Sequence, residues 1–136
     1  MSLIGILFAL YSFAYSTDYF VNTNHSGADD NNDCTDLELP CKTIQGAVGK
    51  ASEEFESTDK IIVSSGTYNE NIVIEKNITL ESSLGAETTI INSIATMDSP
   101  FGSVILIRPE SNSTHQPLVT IDGFTIQGAI GTSINE

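Results

Sequence analysis

From Lys60 to Ile126 the chain is a series of short apolar runs rich in Ile, Val and Thr, broken by turn residues. Ile61-Ile62-Val63, Ile72-Val73-Ile74, Ile78-Thr79-Leu80, Thr89-Ile90-Ile91, Val104-Ile105-Leu106, Leu118-Val119-Thr120-Ile121 and Phe124-Thr125-Ile126 are predicted strands. Side chains alternate across a strand, so each run offers one face to a core. Tyr19-Phe20-Val21 is a further, isolated strand. Between the runs lie Ser65-Gly66, Glu75-Lys76-Asn77, Leu84-Gly85 and Asp122-Gly123. The first three spacings are too short for a crossover helix, which takes at least about ten residues. Asp122-Gly123 is the only two-residue hairpin signal.

Two strand types recur at one offset. Ile61-Ile62-Val63 and Ile78-Thr79-Leu80 begin 17 residues apart, as do Ile72-Val73-Ile74 and Thr89-Ile90-Ile91. That recurrence predicts stacked coils whose equivalent strands pair in parallel, with PESNSTHQP as an outward loop. Strands this short need neighbours above and below to bury a face.

One segment has the helical period instead. Thr43 can cap a helix whose stripe is Ile44, Ala47, Val48, Ala51 and Phe55. Gly46 and Gly49 weaken it by about 1 kcal/mol each against alanine, so packing must hold it. The preceding NTNHSGADDNNDCTD is a loop of turn-forming residues. Asp29-x-Asn31-x-Asp33 opens like a calcium loop, but Cys34 stands where glycine is needed and Pro40 where glutamate is needed. The aspartates read as turn-formers, and no metal or cofactor is expected.

Residues 1–16 carry no charged side chain, and LIGILFALYSF is followed by Ala14-Tyr15-Ser16. This is the core and cleavage site of a signal peptide, with cleavage predicted between Ser16 and Thr17; the alternative is a buried strand or helix. The run is shorter than the roughly 20 apolar residues that span a bilayer. Cys34 and Cys41, the only cysteines, are expected to pair in an oxidising compartment; two reduced thiols are the alternative. Asn24, Asn77 and Asn112 head glycosylation sequons, that of Asn77 usable only if its side chain points outward. The expected location is secreted or cell-surface.

Charge then narrows the partners. Eighteen acids against five bases give a net charge of −13, and no two bases form a run. Nucleic acid and anionic membranes are repelled by such a surface, as are polyuronates without a bridging cation.

CKTIQGAV, IIVSSGTYNENIVI, NITLESS, ETTIINS and VTIDGFTIQG together resemble the entry segment of right-handed parallel β-helix proteins of the pectin lyase-like superfamily. Pectin methylesterases and carbohydrate-associated surface proteins open similarly, and the likeness spans residues 19 to 128. It implies an all-β fold: a right-handed parallel β-helix of a few coils with an N-terminal capping helix, incomplete at the C-terminus. The division would be a signal peptide over 1–16, strand, acidic loop and capping helix over 17–59, and coils over 60–136. Inward positions would be Ile72, Ile74, Ile78, Leu80, Ile90, Val119, Ile121 and Ile126, with Tyr68 over the first coil and turns at Gly66 and Gly123.

In the esterase-like relatives, paired aspartates with glutamines and an arginine do the chemistry on later coils, so no catalytic residue carries over. Asp122 reads as a turn-former, Glu70 as solvent-facing, His25 and His115 as loop residues, and Arg108 as a lone arginine. The expected function is a non-catalytic scaffold or glycan-binding module; the alternative is the N-terminal part of a pectin-esterase-like or lyase-like enzyme. A polysaccharide or cell-surface glycan is the expected partner. The ending GAIGTSINE has no amphipathic cap, so self-association through an open end is also expected.

Overall fold

The computed structural model describes residues 15–54, 56–94 and 102–130. The apolar leader 1–14, the Phe55 end of the helical stripe and residues 131–136 lie outside them. The elements are β1 (Asp18–Val21), α1 (Ile44–Lys50), β2 (Asp59–Val63), β3 (Gly66–Asn69), β4 (Ile72–Ile74), β5 (Ile78–Ser82), β6 (Thr89–Asn92), β7 (Ile105–Ile107), β8 (Val119–Asp122) and β9 (Thr125–Gln127). They form three sheets in the orders β1-β2-β5-β8, β3-β6-β9 and β4-β7. Every pairing is parallel. The fold is mostly strands in parallel sheets, with one short helix.

Strands β2 to β9 visit the three sheets in fixed rotation, so each strand pairs with the one three places on. Residues of like character therefore stack. Tyr19, Ile61, Leu80 and Ile121 form one ladder, and Tyr68, Ile91 and Ile126 another. Burial is greatest in the middle of each and falls at the far end. Ile61, Leu80 and Ile91 are fully buried, Ile121 is half-buried, and Ile126 is 47% exposed.

The 17-residue offset places the coils two residues out of register. Ile61 pairs Leu80 rather than Ile78, and β4 pairs β7 rather than Thr89-Ile90-Ile91. The missing element was β3: Gly66-Thr67-Tyr68 is a strand rather than a turn, and it takes β6 as its neighbour. Asp122-Gly123 does not close a hairpin; it carries the chain from the first sheet to the second, with Gly123 at φ +79°. In β6 the inward residues are Thr89 and Ile91, which leaves Ile90 facing outward. Thr89 is accommodated inside because its Oγ1 shares a 2.7 Å hydrogen bond with Ser82 Oγ. Ile126 faces inward by register but lies on the last strand, with nothing stacked beyond it among the described residues.

The helix is shorter than its stripe. It ends at Lys50, and Ala51 is already extended. The Ser52 N–H turns away to Asp59 Oδ2 at 2.7 Å, which stops the helical ladder there. Ile44, Ala47 and Val48 pack on the core, and Val48 is almost fully buried. The outer edge of β1 is occupied too. Phe20 N donates to Cys34 O at 2.6 Å, Cys41 N to Phe20 O at 2.8 Å, and Asn22 N to Cys41 O at 2.9 Å. The disulfide loop thus supplies the hydrogen bonds that an exposed edge would lack.

Candidate functional site

Two places gather side-chain chemistry. The first is the junction of the acidic loop, the start of α1 and the turn after β3. Seven residues of helix leave most of their N–H groups without internal acceptors, so α1 depends on its caps. Thr43 Oγ1 accepts from Gly46 N at 2.9 Å, the N-cap that the sequence indicates. Glu70 reaches across the fold: its two carboxylate oxygens accept from Ile44 N at 2.9 Å and Gln45 N at 2.8 Å. Asp30 Oδ1 accepts from Lys42 N and Thr43 N, both at 2.9 Å, and its Oδ2 from Thr43 Oγ1. Gly46 is the space for this arrangement, since a Cβ there would lie 2.4 Å from Asp30 Oδ1.

Glu70 therefore does not face solvent as its sequence position suggests. Burial pushes its carboxyl above the ordinary value, opposed by the N–H groups of Gln45 and Ile44, with the Asp30 charge adding to the rise. Tyr68 beside it is pushed up to about 12, chiefly by burial, and its hydroxyl donates to Ser64 O at 2.8 Å. Gln45 completes the junction. Its amide accepts from Val73 N at 2.7 Å and donates to Val73 O at 3.4 Å, as a neighbouring peptide group would.

The second place is an open cleft of about 90 Å³ on the flank. It is lined by Glu53 and Glu54 after the helix, Glu75, Lys76 and Asn77 after β4, and Glu110 and His115 in the loop before β8. Its lysine and the arginine that pairs with its Glu75 are already engaged. Lys76 Nζ donates to Ala51 O at 2.7 Å and lies 3.7 Å from Glu53, while Arg108 Nε donates to Glu75 Oε1 at 2.8 Å. Enclosed sites for small molecules usually measure about 300 Å³ or more. A cleft of this size can touch one polar unit of an extended ligand but cannot enclose it.

The other candidates are dispersed. Cys34 and Cys41 are joined as a disulfide, Cα–Cα 5.0 Å. Asn77 Oδ1 accepts from Leu118 N at 2.7 Å, which ties its side chain to the chain that enters β8. Asn24 is exposed, with Nδ2 3.4 Å from Ser65 O. Asn112 is exposed on the long loop at φ +74°. Asp29 Oδ1 accepts from Asn31 N and Asp36 Oδ1 from Glu38 N, the local bonds of turn-formers. His25 Nδ1 accepts from Gly27 N, Asp122 ends β8 in the open, and His115 lies in the cleft wall. No described group of three or more His, Cys, Asp or Glu side chains is placed to hold a metal ion. Among the described residues, no helix is long and apolar enough to cross a membrane.

No protein-family model matches this chain, and no curated protein or solved structure does.

Sequence reasoning missed Glu70, Asp30, Gln45 and Asp59 as organising residues. Their partners lie up to 42 residues away, and no local motif announces such pairings. Buried Asp59, at the start of β2, accepts from Thr17 N, Ser52 N and Ser57 Oγ.

Proposed function

We propose that this chain forms the capped first coils of a right-handed parallel β-helix of the pectin lyase-like kind, acting as a secreted or cell-surface, non-catalytic module that scaffolds or binds glycan. The observation that carries the fold reading is the fixed rotation of β2 to β9 through three parallel sheets. Parallel crossovers are right-handed in nearly all proteins, which supplies the handedness. The disulfide is compatible with an oxidising compartment.

The non-catalytic reading rests on what the candidates do. Both cysteines are consumed in the disulfide, Glu70 and Asp30 hold backbone N–H groups, and Lys76 and Arg108 hold carbonyls and carboxylates. The glycan reading rests on the open cleft, whose Glu, Asn, Gln and Ser side chains offer hydrogen bonds to hydroxyls. With a net charge of −13, neutral glycans are favoured over uronates.

The test is a pair of measurements on the secreted protein: esterase and lyase assays on pectin, and binding to an array of neutral and uronate glycans. The reading expects no turnover and binding confined to neutral chains. Turnover on pectin by the purified protein that is absent from a mock-purified control would end it, whether or not a Glu75→Gln, Glu110→Gln double variant abolishes it.

A second reading, the entrance of a longer carbohydrate-active enzyme, is favoured by one feature. The outer edges of β7, β8 and β9 have no strand partner among the described residues, and Ile107, Leu118 and Ile126 are exposed there. A reading frame that continues past Glu136 into further coils with inward paired aspartates would favour it. The same open edges support self-association as an alternative use of that end.

A further inference from the structure

Asp59 is 1% exposed, and among the described residues no lysine, arginine or histidine pairs with it. A carboxylate so deeply placed ordinarily has a cationic partner. The nearest lysine in sequence, Lys60, is 2.7 Å from Glu81 instead. Three donors surround Asp59. Thr17 N lies 2.8 Å from Oδ1, Ser57 Oγ 3.2 Å from the same oxygen, and Ser52 N 2.7 Å from Oδ2. Thr17 N is the nitrogen of the peptide bond at which the sequence predicts cleavage.

We propose that Ser16–Thr17 is a maturation site, and that its hydrolysis by a signal peptidase delivers the new α-ammonium of Thr17 onto Asp59 as a buried ion pair. Water adds to the Ser16 carbonyl and the C–N bond breaks. Ser16 departs as a carboxylate, and the Thr17 nitrogen, now an amine, takes up a proton. The nitrogen has no distance to travel. The rest of Thr17 is already anchored, because its carbonyl accepts from Lys60 N at 2.9 Å. The bonds lost are peripheral: Ser16 Oγ to Thr58 O and Ser57 Oγ to Tyr15 O. Losing the second leaves the Ser57 hydroxyl to Asp59 alone. Removal of the leader thus replaces a neutral amide donor with a charged one, and the cut supplies the cation that Asp59 lacks.

The inference rests on the secreted reading, and the experiment separates the two. The full reading frame is expressed in a secreting eukaryotic host, and the intact mass of the product is determined. A parallel frame carries one glycine inserted between Ser16 and Thr17, so that cleavage after Ser16 leaves the ammonium one residue away while the Thr17 amide remains. Both proteins are unfolded in urea between pH 6 and pH 10, each with and without Asp59→Asn.

The expected product begins at Thr17, and its unfolding constant at pH 6 is roughly tenfold smaller than that of the glycine-extended protein. A tenfold effect corresponds to an α-amino pKa raised from about 8 to about 9 on folding. The advantage is therefore full below about pH 8 and is lost as pH rises through about 9. Tyr19, raised above its ordinary value by burial and by the Asp59 charge, is the other titratable group coupled to Asp59, and both proteins carry it, while Lys60 is turned to Glu81. Asp59→Asn removes the difference. A product that retains residues 1–16 overturns both the secreted reading and the pairing. A product starting at Thr17 with no pH-dependent advantage, or with one that survives Asp59→Asn, overturns the pairing alone.

Discussion

Truncating Glu70 to alanine leaves the Ile44 and Gln45 amides without their carboxylate acceptor at the start of a seven-residue helix. Glu70→Ala is expected to destabilise the fold by about 2 to 3 kcal/mol, the usual range for bonds to a charged acceptor, as measured by urea unfolding. Glu70→Gln separates charge from hydrogen bonding. The folded carboxyl titrates above its ordinary value because burial, with the Asp30 charge, outweighs the two amides. The stability tied to its protonated form is present below the unfolded value near 4.5 and is lost as pH rises through the folded value. Wild type should therefore lose ground to Glu70→Gln across that acidic window and hold a constant gap above it. The same scale sorts the sequons. Asn77 is half-buried and bonded to Leu118 N, whereas Asn112 sits in an exposed left-handed turn. Glycopeptide mass spectrometry of protein secreted from a eukaryotic host should find glycan at Asn112 and unmodified Asn77. The bond to Leu118 uses Oδ1 and glycan is carried on Nδ2, so an occupied Asn77 would show instead that the half-buried amide nitrogen is reachable with that bond kept.

The disulfide loop is the element that closes β1, so its covalent link and its edge-sealing bonds should fail together. Cys34→Ser with Cys41→Ser is expected to cost about 2 to 3 kcal/mol from loop entropy alone, read as a lowered urea midpoint. Faster hydrogen exchange at Phe20 and Asn22 should accompany it, since their N–H groups donate into the loop. Gly123→Ala tests the step between sheets: its φ of +79° disfavours a side chain, and a Cβ would lie 3.1 Å from Ser82 Cβ. A loss of about 1 to 2 kcal/mol is expected by the same unfolding assay. At this scale much of the strand content was legible. The runs at 61–63, 72–74 and 78–80 are strands because Ile, Val and Leu alternate inward, and nothing else in the chain competes for those positions. Pairing was not legible, because register depends on turn lengths. Gly66-Thr67-Tyr68 carries only one large apolar residue and was passed over as a turn. Thr89 took the inward place that Ile90 was expected to hold, through a hydroxyl pair with Ser82 that no local pattern encodes. The cap at Thr43 followed from sequence, while Glu70 did not, because its acceptors and their donors are 26 residues apart.

Across the whole molecule two opposing terms act on association. The outer edges of β7, β8 and β9 have no strand partner among the described residues, and Ile107, Leu118 and Ile126 are exposed there, which favours contact. A net charge of −13 opposes it, and salt screens that repulsion over about 8 Å at physiological strength. Sedimentation velocity should therefore show association that grows with added salt, and Ile126→Lys should suppress it at every salt concentration. The opposite end behaves differently because of Gln45. Its side-chain amide occupies both hydrogen-bonding positions of Val73, so β4 already has its upper neighbour, just as β1 has the disulfide loop. A further strand added at this end would have to displace the Gln45 amide at β4 and the disulfide loop at β1, whereas among the described residues no such bond covers the outer edge of β3. One glutamine and one loop thereby obstruct two of the three places at which a second copy could extend the stack.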